Sequence, residues 1–353
     1  MEENITDTKP KRKKRSVKRI FLTVLLVILI ILFVGIAAGY WYIMDKLNRT
    51  EYVEIPEEEI EINEGVVEQL TNYRNIALLG IDSRNQDSYA SGSRSDCIII
   101  ASINEDTSEV KLISIYRDTY LKITGHSLDK VTHAYAYGGP ALAISTLNTN
   151  LDLNITEFVA VNFEAVADIV NSLDGININI TSAELNYINE YIDETSKYTG
   201  IKSKHITKTG MQKLDGVQAV AYARIRYTSG GDYKRTERMR TIIDACLAKA
   251  KTLRLTKLNS AANTILGKIE TNIKSGEILA LLPKVATYKI TDSIGWPYEV
   301  KSAKLGGIYY TVPVTLESCV EELHKELFGE EDYEVSETVE QISNSIINKT
   351  GYR

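Results

Sequence analysis

The feature that most constrains this chain is an uninterrupted run of uncharged, mostly apolar residues from Ile20 to Met44. A helix of this length spans the ~30 Å hydrocarbon core of a bilayer. Eight lysines and arginines, with no acidic residue among them, fill the stretch 9–19 just before the run. Because positive flanks stay in the cytoplasm, we predict a basic cytoplasmic tail (1–19), a transmembrane segment (20–44) and an extracellular remainder.

A cleaved signal peptide is the alternative interpretation of the same run. The run is longer than a typical signal-peptide core, and no small-residue cleavage site closes it. It ends instead in the bulky group Tyr40, Trp41 and Tyr42, which is typical of a membrane–water interface. The sequence therefore favours an uncleaved signal anchor and a location in the cell membrane.

The charges divide between the two parts of the chain. Eight basic and three acidic residues give segment 1–44 a net charge of +5, and since the whole chain carries −6, the remainder carries −11. An acidic body argues against nucleic acid as a partner. The basic tail is explained by the anionic inner leaflet of the membrane.

The acidic part begins with a glutamate-rich stretch. Segment 45–70 holds eight glutamates and few large apolar residues, a composition that predicts a solvated stalk. A folded domain is expected over 71–330, followed by an acidic tail over 331–353. No repeat of solenoid or propeller period occurs.

Apolar, β-branched runs alternate with helical patterns inside the domain. Segments 75–81, 97–103 and 109–115 read as strands, and the first two are apolar enough to lie between two covered faces. The alternation predicts an α/β (α+β) fold with a central mixed β-sheet sandwiched by helices. Further strands are predicted at 157–162, 176–180, 297–303 and 307–314, and helices at 130–151 (broken at Gly138-Gly139), 163–173, 216–223, 232–252, 256–268, 275–286 and 316–327.

The cysteines and histidines exclude the common zinc sites. Cys97, Cys246 and Cys319 form no CxxC pair, and the four histidines show no HxxxH or HExxH spacing. Each cysteine is expected as a small buried residue. Pairing of two of them outside the cell stays open, since the sequence does not select a pair.

Arginine is distributed unevenly in the domain. Eight of the eleven arginines after residue 70 fall in four short segments, 79–84, 93–96, 114–120 and 223–240. A planar guanidinium binds phosphate or carboxylate through two parallel hydrogen bonds. An acidic domain that concentrates arginine in this way is expected to bind an anion.

Three of these segments border predicted strands. Asp82 and Arg84 follow the first strand, Arg94 and Asp96 precede the second, and Arg117 follows the third. Ligand sites gather at strand ends in α/β sheets. Two carboxylates among several guanidiniums suit a divalent cation that bridges a diphosphate.

The fourth segment adds two patterns. Arg224 and Arg226 are two residues apart after a predicted helix, so in an extended segment they would face the same way. Asp232, Arg235 and Arg238 would form one stripe on the following helix. The competing interpretation is a set of ordinary surface ion pairs, and neither GxxxxGK nor GxGxxG is present.

These residues resemble the LytR-CpsA-Psr family over roughly 75–250, about half of the chain. The resemblance rests on NIALLGIDSR, SRSDCIIIASIN, VKLISIYRDTYLKI, DKVTHAYAYGGP, FVAVNFEAVADIVNSLDGI, LDGVQAVAYARIRY and GDYKRTERMR, in this order. It implies an extracytoplasmic phosphotransferase with a hydrophobic lipid tunnel. Such an enzyme moves a glycopolymer (teichoic acid, capsule or another wall polysaccharide) from a polyprenyl-diphosphate carrier to peptidoglycan. Helices 162–173, 215–223 and 241–250 are candidates for the tunnel wall.

The resemblance also implies residue roles. Arg117, Asp232 and Arg224 would be catalytic, with Asp232 as candidate base, and Asp82 and Asp96 would hold Mg²⁺ or Mn²⁺. The diphosphate would be bound by Arg84, Arg94, Arg117, Arg224, Arg226 and Arg235. Three positions depart from the family pattern: Cys97 replaces a common Thr, Tyr116 a Pro and Met239 a Gln. The last change puts fine substrate specificity in doubt.

Two other functions remain open from the sequence. One is a phosphatase of lipid diphosphates, since no acceptor site is visible. The other is a non-catalytic membrane-anchored regulator of envelope expression. The absence of a helix-turn-helix pattern and an extracellular body both argue against a DNA-binding regulator.

Overall fold

The computed structural model describes residues 51–82 and 92–353. The predicted cytoplasmic tail, the transmembrane segment 20–44 and Arg84 lie outside the described residues. Within the part that is described, no helix combines the length and the apolar character needed to cross a bilayer.

A seven-stranded mixed sheet forms the centre of the fold, in the order β1-β10-β7-β2-β3-β4-β11. β2 pairs antiparallel with β3 and parallel with β7, while β4 pairs antiparallel with β3 and parallel with β11. Three two-stranded sheets, β5-β6, β8-β9 and β12-β13, accompany it. The strands are β1 (Glu51–Tyr52), β2 (Tyr73–Asp82), β3 (Arg94–Asn104), β4 (Glu109–Ile115), β5 (Tyr120–Lys122), β6 (Leu128–Lys130), β7 (Glu157–Val161), β8 (Ile176–Ile180), β9 (Gly210–Leu214), β10 (Glu270–Thr271), β11 (Lys289–Trp296), β12 (Val300–Leu305) and β13 (Ile308–Pro313).

Helices cover both faces of this sheet, because successive side chains of a strand point to opposite sides. Ile98 and Ile100 pack into one core and Ile99 and Ala101 into another. The mixed sheet between helices that the sequence predicted is confirmed. The α-helices are Val66–Gln69, Thr132–Leu151, Phe163–Ser172, Ser182–Thr199, Gly216–Arg224, Gly231–Lys251, Leu255–Leu266, Ser275–Leu281, Leu316–Phe328 and Glu337–Thr350, with 3₁₀ turns at Glu57–Glu59 and Leu282–Lys284.

Local chemistry sets the helix boundaries near the site. Asn162 and Asp215 cap their helices by accepting hydrogen bonds from the backbone N–H groups of Ala165 and Gln218. Gly216 has no room for a side chain, since a Cβ there would lie 2.0 Å from the carbonyl oxygen of Ala167. The two helices that begin at Phe163 and Gly216 therefore pack backbone against backbone.

The kink predicted in the long helix Thr132–Leu151 is present. Gly138 and Gly139 have non-helical dihedral angles, and Pro140 follows inside the helix. Tyr137 therefore ends the first, short part of this helix and lies on the surface, 51% exposed.

The structure differs from the sequence prediction in the glutamate-rich stretch. Tyr52 belongs to the central sheet through the pairing of β1 with β10. Val66 and Leu70 are buried in the main core. The described residues 51–70 are thus part of the domain and not a solvated stalk, because apolar residues spaced between the glutamates bury one side of the segment.

The C-terminal residues also fold onto the domain. Glu337–Thr350 is a capped helix whose Val339, Ile342 and Ile346 are buried in the main core. Its acidic residues Glu337 and Glu340 lie on the solvent side, so the acidic composition of 331–353 did not indicate this packing.

Two elements near the site were not predicted. Helix Ser182–Thr199 begins with a capping box between Thr181 and Glu184, and this Thr-x-x-Glu spacing is a readable signal in the sequence. Strand β11 contains both polar and apolar residues. It pairs with β4, which lies much earlier in the sequence.

Candidate active site

The arginine-rich segments meet at one end of the central sheet. Because β2 and β3 are antiparallel, Asp82 at the end of β2 pairs with Arg94 at the start of β3. In the same way Ile115 at the end of β4 pairs with Ile98 near the start of β3, and Arg117 follows directly. The expected convergence of these strand ends is therefore present.

Asp96 is the centre of the polar cluster. Its Oδ2 accepts a hydrogen bond of 2.9 Å from Nη1 of Arg117 and lies 3.5 Å from Nη2 of Arg226 and 3.8 Å from Nη1 of Arg235. Arg235 also donates from Nη2 to the backbone oxygen of Asp96 at 3.0 Å. Three guanidinium groups, from two distant parts of the chain, thus surround one carboxylate.

Asp232 forms ion pairs with two of these arginines, Arg117 and Arg235. Its Oδ2 lies 3.4 Å from Nε of Arg117, and its Oδ1 lies 3.2 Å from Nη2 of Arg235. The i, i+3 spacing of Asp232 and Arg235 on helix Gly231–Lys251 allows the second contact. A carboxylate between two guanidiniums is fixed in orientation, as a proton acceptor requires.

The arginines differ in their electrostatics. Burial acts to lower the pKa of Arg117, but the carboxylates of Asp96, Asp232 and Asp118 outweigh it, so that the pKa is raised. For Arg235, which is 3% exposed, burial dominates and lowers the pKa. Both guanidiniums remain charged at physiological pH. The Nε atom of Arg235 has no hydrogen-bond partner among the described residues.

A mostly apolar cavity of about 630 Å³ opens at this cluster. It lies between the sheet and the helices Phe163–Ser172, Gly216–Arg224 and Gly231–Lys251, the three helices expected to form a tunnel wall. Cys246 lies eleven residues after Arg235 on one helix, a distance of about 16 Å along the axis. The apolar lining includes Leu78, Leu79, Ile81, Ile99, Val159, Val161, Val166, Ile169, Val220, Met239, Ile242 and Ile243.

Arg224 and Arg226 both line the cavity but do not face the same way. Arg224 is the last residue of its helix, and its guanidinium bonds Thr195 and Glu194 at 3.1 Å each. Arg226 reaches Asp96 instead. The expectation of a common direction is wrong because the helix still includes Arg224, so the two residues are not in one extended segment.

Arg224 lies among three aromatic rings. The centroids of Phe163, Tyr191 and Tyr198 are 5.2, 5.6 and 5.5 Å from its guanidinium carbon, within the range of cation–π attraction. Tyr191 and Tyr198 belong to helix Ser182–Thr199, and neither they nor that helix were predicted from the sequence.

Arg238 is not part of the anion-binding group. Its side chain is buried and bonds Glu184 at 2.8 Å, the carbonyl oxygen of Ile225 at 3.0 Å and the hydroxyl of Thr228 at 2.6 Å. Arg238 therefore positions the segment that carries Arg226. Of the predicted stripe Asp232, Arg235 and Arg238, only Asp232 and Arg235 reach the site.

The remaining predicted residues, Asp82 and Arg94, lie opposite each other at the paired ends of β2 and β3. Arg94 is exposed on β3, where its charge acts on Tyr137. Asp82 and Asp96 both line the cavity. In the described residues no three Asp, Glu, His or Cys side chains form a metal-binding group. Two carboxylates at one opening nevertheless fit Mg²⁺, which is commonly held by one or two carboxylates plus substrate phosphates.

The three positions that depart from the family pattern have clear surroundings. Cys97 lines the cavity next to Gly80, and burial raises the pKa of its thiol to about 12. Met239 adds an apolar wall to the same cavity. Tyr116 packs edge to face on Tyr233 with 4.4 Å between the ring centroids. All three are accommodated as packing residues.

Comparisons with known proteins identify the family. The model of the LytR_cpsA_psr family matches residues 41–326. The polyisoprenyl-teichoic acid–peptidoglycan teichoic acid transferase TagT of Bacillus subtilis (strain 168) is 32% identical over 240 residues, which cover 67% of this chain and 70% of that protein.

Two solved structures share the fold. One, "TagT bound to LIIa-WTA", has a TM-score of 0.58 and 27% identity and covers 73% of this chain and 90% of its own. The other, "LytR-CPS2A-psr family protein YwtF (TagT) with bound octaprenyl pyrophosphate lipid", has a TM-score of 0.54 and 26% identity and covers 73% and 91%. The strand-end cluster, the apolar cavity and a family match over most of the chain lead to one conclusion: this protein belongs to the LytR-CpsA-Psr family.

Proposed function

We propose that this protein is a phosphotransferase that moves a glycopolymer from a polyprenyl-diphosphate carrier to a hydroxyl group of peptidoglycan. The glycopolymer would be a teichoic acid, a capsule or another wall polysaccharide. The relative TagT is named for such a transfer of teichoic acid, and a related structure contains octaprenyl pyrophosphate. The observation that carries the proposal is the placement of three guanidiniums around Asp96 at the mouth of an apolar cavity.

The cavity and the arginines suit the two halves of a lipid diphosphate. The apolar wall would take isoprenoid carbons, whose burial contributes about 25 cal/mol per Å² of apolar surface. The guanidiniums of Arg117, Arg226 and Arg235 would bind the diphosphate oxygens, with the free Nε atom of Arg235 available as a donor. Arg224 would join them by leaving Glu194, whose side chain is more than half exposed.

The proposed reaction is a phosphoryl-type transfer that needs orientation and charge neutralisation. The acceptor oxygen bonds to the phosphorus that carries the glycan, and the bond from this phosphorus to the bridging oxygen breaks. Polyprenyl phosphate leaves, and the hydroxyl proton passes to the Asp232 carboxylate. Arg117, which contacts both Asp96 and Asp232, would stabilise the charge that develops between them.

Asp82 and Asp96 would hold Mg²⁺ or Mn²⁺ when the diphosphate binds. The ion would neutralise phosphate oxygens that the arginines leave free. We place the enzyme in the cell membrane through segment 20–44, with the domain outside and no role for nucleic acid. The positive-inside pattern and the acidic body support this topology.

A transfer assay tests the proposal directly. Full-length protein in neutral detergent is mixed with a synthetic polyprenyl-diphosphate glycan, Mg²⁺ and a peptidoglycan oligomer. Asp96→Ala and Arg117→Ala should each lower kcat by about 10²–10³, the usual effect of removing one group that stabilises developing charge. Arg254→Ala removes an exposed arginine at another helix start and should be as active as wild type.

Three results would contradict the proposal. Equal turnover by wild type, Asp96→Ala and Arg117→Ala would show that these residues do not form the active site. Full activity in excess EDTA would show that the reaction does not need a divalent metal ion. Release of polyprenyl phosphate without any glycan on peptidoglycan would favour a lipid-diphosphate phosphatase.

A further inference from the structure

A second polar cluster adjoins the arginine site and has no part in the function described so far. It is centred on Asp129, whose Oδ2 lies 2.8 Å from Nδ1 of His133 and accepts a 2.8 Å hydrogen bond from the hydroxyl of Tyr137. Its Oδ1 accepts a 3.4 Å bond from the hydroxyl of Tyr310. Asp129, His133, Tyr137 and Tyr310 are called the Asp129 cluster below.

The carboxylate organises this cluster and is not itself free for a ligand. Burial acts to raise the pKa of Asp129, but hydrogen bonds from His133, Tyr137 and the N–H of Lys130 outweigh it and lower the pKa. Since Asp129 occupies Nδ1 of His133, Nε2 is the ring nitrogen left for another partner.

Short contacts connect the cluster to the arginine site. Lys130 Nζ lies 2.8 Å from Oδ1 of Asp118, and the other oxygen of Asp118 lies 3.9 Å from Nε of Arg117. Thr132 bonds the backbone oxygens of Ser95 at 2.9 Å and Arg117 at 3.2 Å. The residues before and after Thr132 therefore flank the strand ends that hold Asp96 and Arg117.

The surface of the cluster is aromatic. Tyr137 stacks on the exposed ring of His126, with 5.0 Å between centroids and 28° between planes. The glycine kink after Tyr137 leaves half of its side chain exposed. A half-exposed tyrosine bordered by imidazole and ammonium groups suits a sugar ring, whose C–H face packs on an aromatic ring while its hydroxyls bond the polar groups.

We propose that the Asp129 cluster and His126 form the subsite for the acceptor glycan, with Tyr137 as the stacking platform and Nε2 of His133 as the hydrogen-bond partner of a sugar hydroxyl. The inference rests on the proposed transferase function and adds to it. The subsite adjoins Arg117, whereas the apolar cavity extends away from the arginines along helix Gly231–Lys251. The isoprenoid chain of the carrier and the acceptor glycan would thus approach the diphosphate from different directions.

A binding experiment without donor separates this inference from the proposed reaction. Full-length protein in neutral detergent is titrated with a peptidoglycan-derived disaccharide peptide, and Kd is measured by calorimetry. Tyr137→Ala should raise Kd at least about tenfold, whereas Tyr137→Phe, which keeps the ring, should change Kd by less than about threefold. Tyr52→Ala, at a similarly exposed tyrosine on β1, serves as the matched control.

His133→Gln gives a second test in the transfer assay. Its acceptor KM should rise about tenfold while kcat at saturating acceptor stays near that of wild type. The inference is overturned if Tyr137→Ala binds the disaccharide as wild type does, or if His133→Gln lowers kcat and leaves the acceptor KM unchanged. Tight disaccharide binding by wild type with loss in Tyr137→Ala supports the subsite even if no transfer is observed.

Discussion

At the scale of single residues, the structure contains a buried histidine that is remote from the site. His324 is fully buried, and its ring stacks on Tyr333 with centroids 3.6 Å apart. Its Nε2 lies 3.1 Å from the carbonyl oxygen of Leu151, so that this nitrogen carries the proton. Burial is the main cause that lowers the pKa of His324 from its ordinary value of 6.5.

This residue predicts a pH dependence of stability. Since the folded-state pKa lies below 6.5, the unfolded chain binds more protons near and below that pH, and the free energy of unfolding falls as the pH falls. His324→Gln keeps an N–H donor and removes the titration. Between pH 6.5 and 5.5 wild type should lose more stability than the variant, with a limit of about 1.4 kcal/mol for one proton over one pH unit, measured by urea unfolding.

His205→Gln is the control for this prediction, because His205 is half exposed and pairs with Asp193 on the surface. An equal pH dependence of stability in wild type and His324→Gln would show that His324 does not cause it.

At the scale of elements, helix Ser182–Thr199 is tied to the site by one buried ion pair. Glu184 uses one oxygen to cap the start of its helix through Thr181 and the other to bind Arg238 at 2.8 Å. Arg238 in turn holds Ile225 and Thr228. Removing Arg238 would leave a buried carboxylate and a buried carbonyl oxygen without their partner.

Arg238→Met should therefore destabilise the domain by about 3–5 kcal/mol, the usual cost of breaking a buried ion pair on one side. Lys234→Met, which breaks an exposed pair with Glu237, should cost less than about 1 kcal/mol. Urea unfolding of both variants measures the difference, and a similar small loss in the two would show that the pair is not needed.

The sequence predicted the strong elements and the convergence of the polar strand ends, for reasons visible in this fold. Continuous apolar runs identify β2 and β3, and a strand end fixes where the next residue lies, so that Arg117 could be placed beside Asp96. The surroundings of Arg224 were not predicted, although the Thr181–Glu184 capping box marks the start of the helix that carries Tyr191 and Tyr198. β11 was missed because its pairing with β4 is a long-range contact.

At the scale of the whole molecule, both ends of the described chain close the domain. β1 extends one edge of the sheet, and helix Glu337–Thr350 covers helices Thr132–Leu151 and Leu316–Phe328. Asp152, at the end of the long helix, bonds both the N–H and the hydroxyl of Ser336 at 2.8 and 2.7 Å. The C-terminal helix is therefore a component of the core.

Ile346→Ala tests this role of the C-terminal helix. Ile346 is 1% exposed, so that its truncation should cost about 2–5 kcal/mol through lost burial and a cavity. Asn348→Ala, on the exposed side of the same helix, should change the thermal midpoint by little. Equal midpoints for the two variants would mean that the segment behaves as a tail after all.

The opening that joins an apolar pocket to a ring of guanidiniums has a practical consequence. An amphiphile with one aliphatic chain and a doubly charged head resembles the carrier at both ends, whatever its biological origin. Detergents with phosphate heads would then act as competitive inhibitors, whereas maltoside detergents with the same tail would lack the anionic half. Purification in the wrong micelle would yield a correctly folded enzyme with an occupied site.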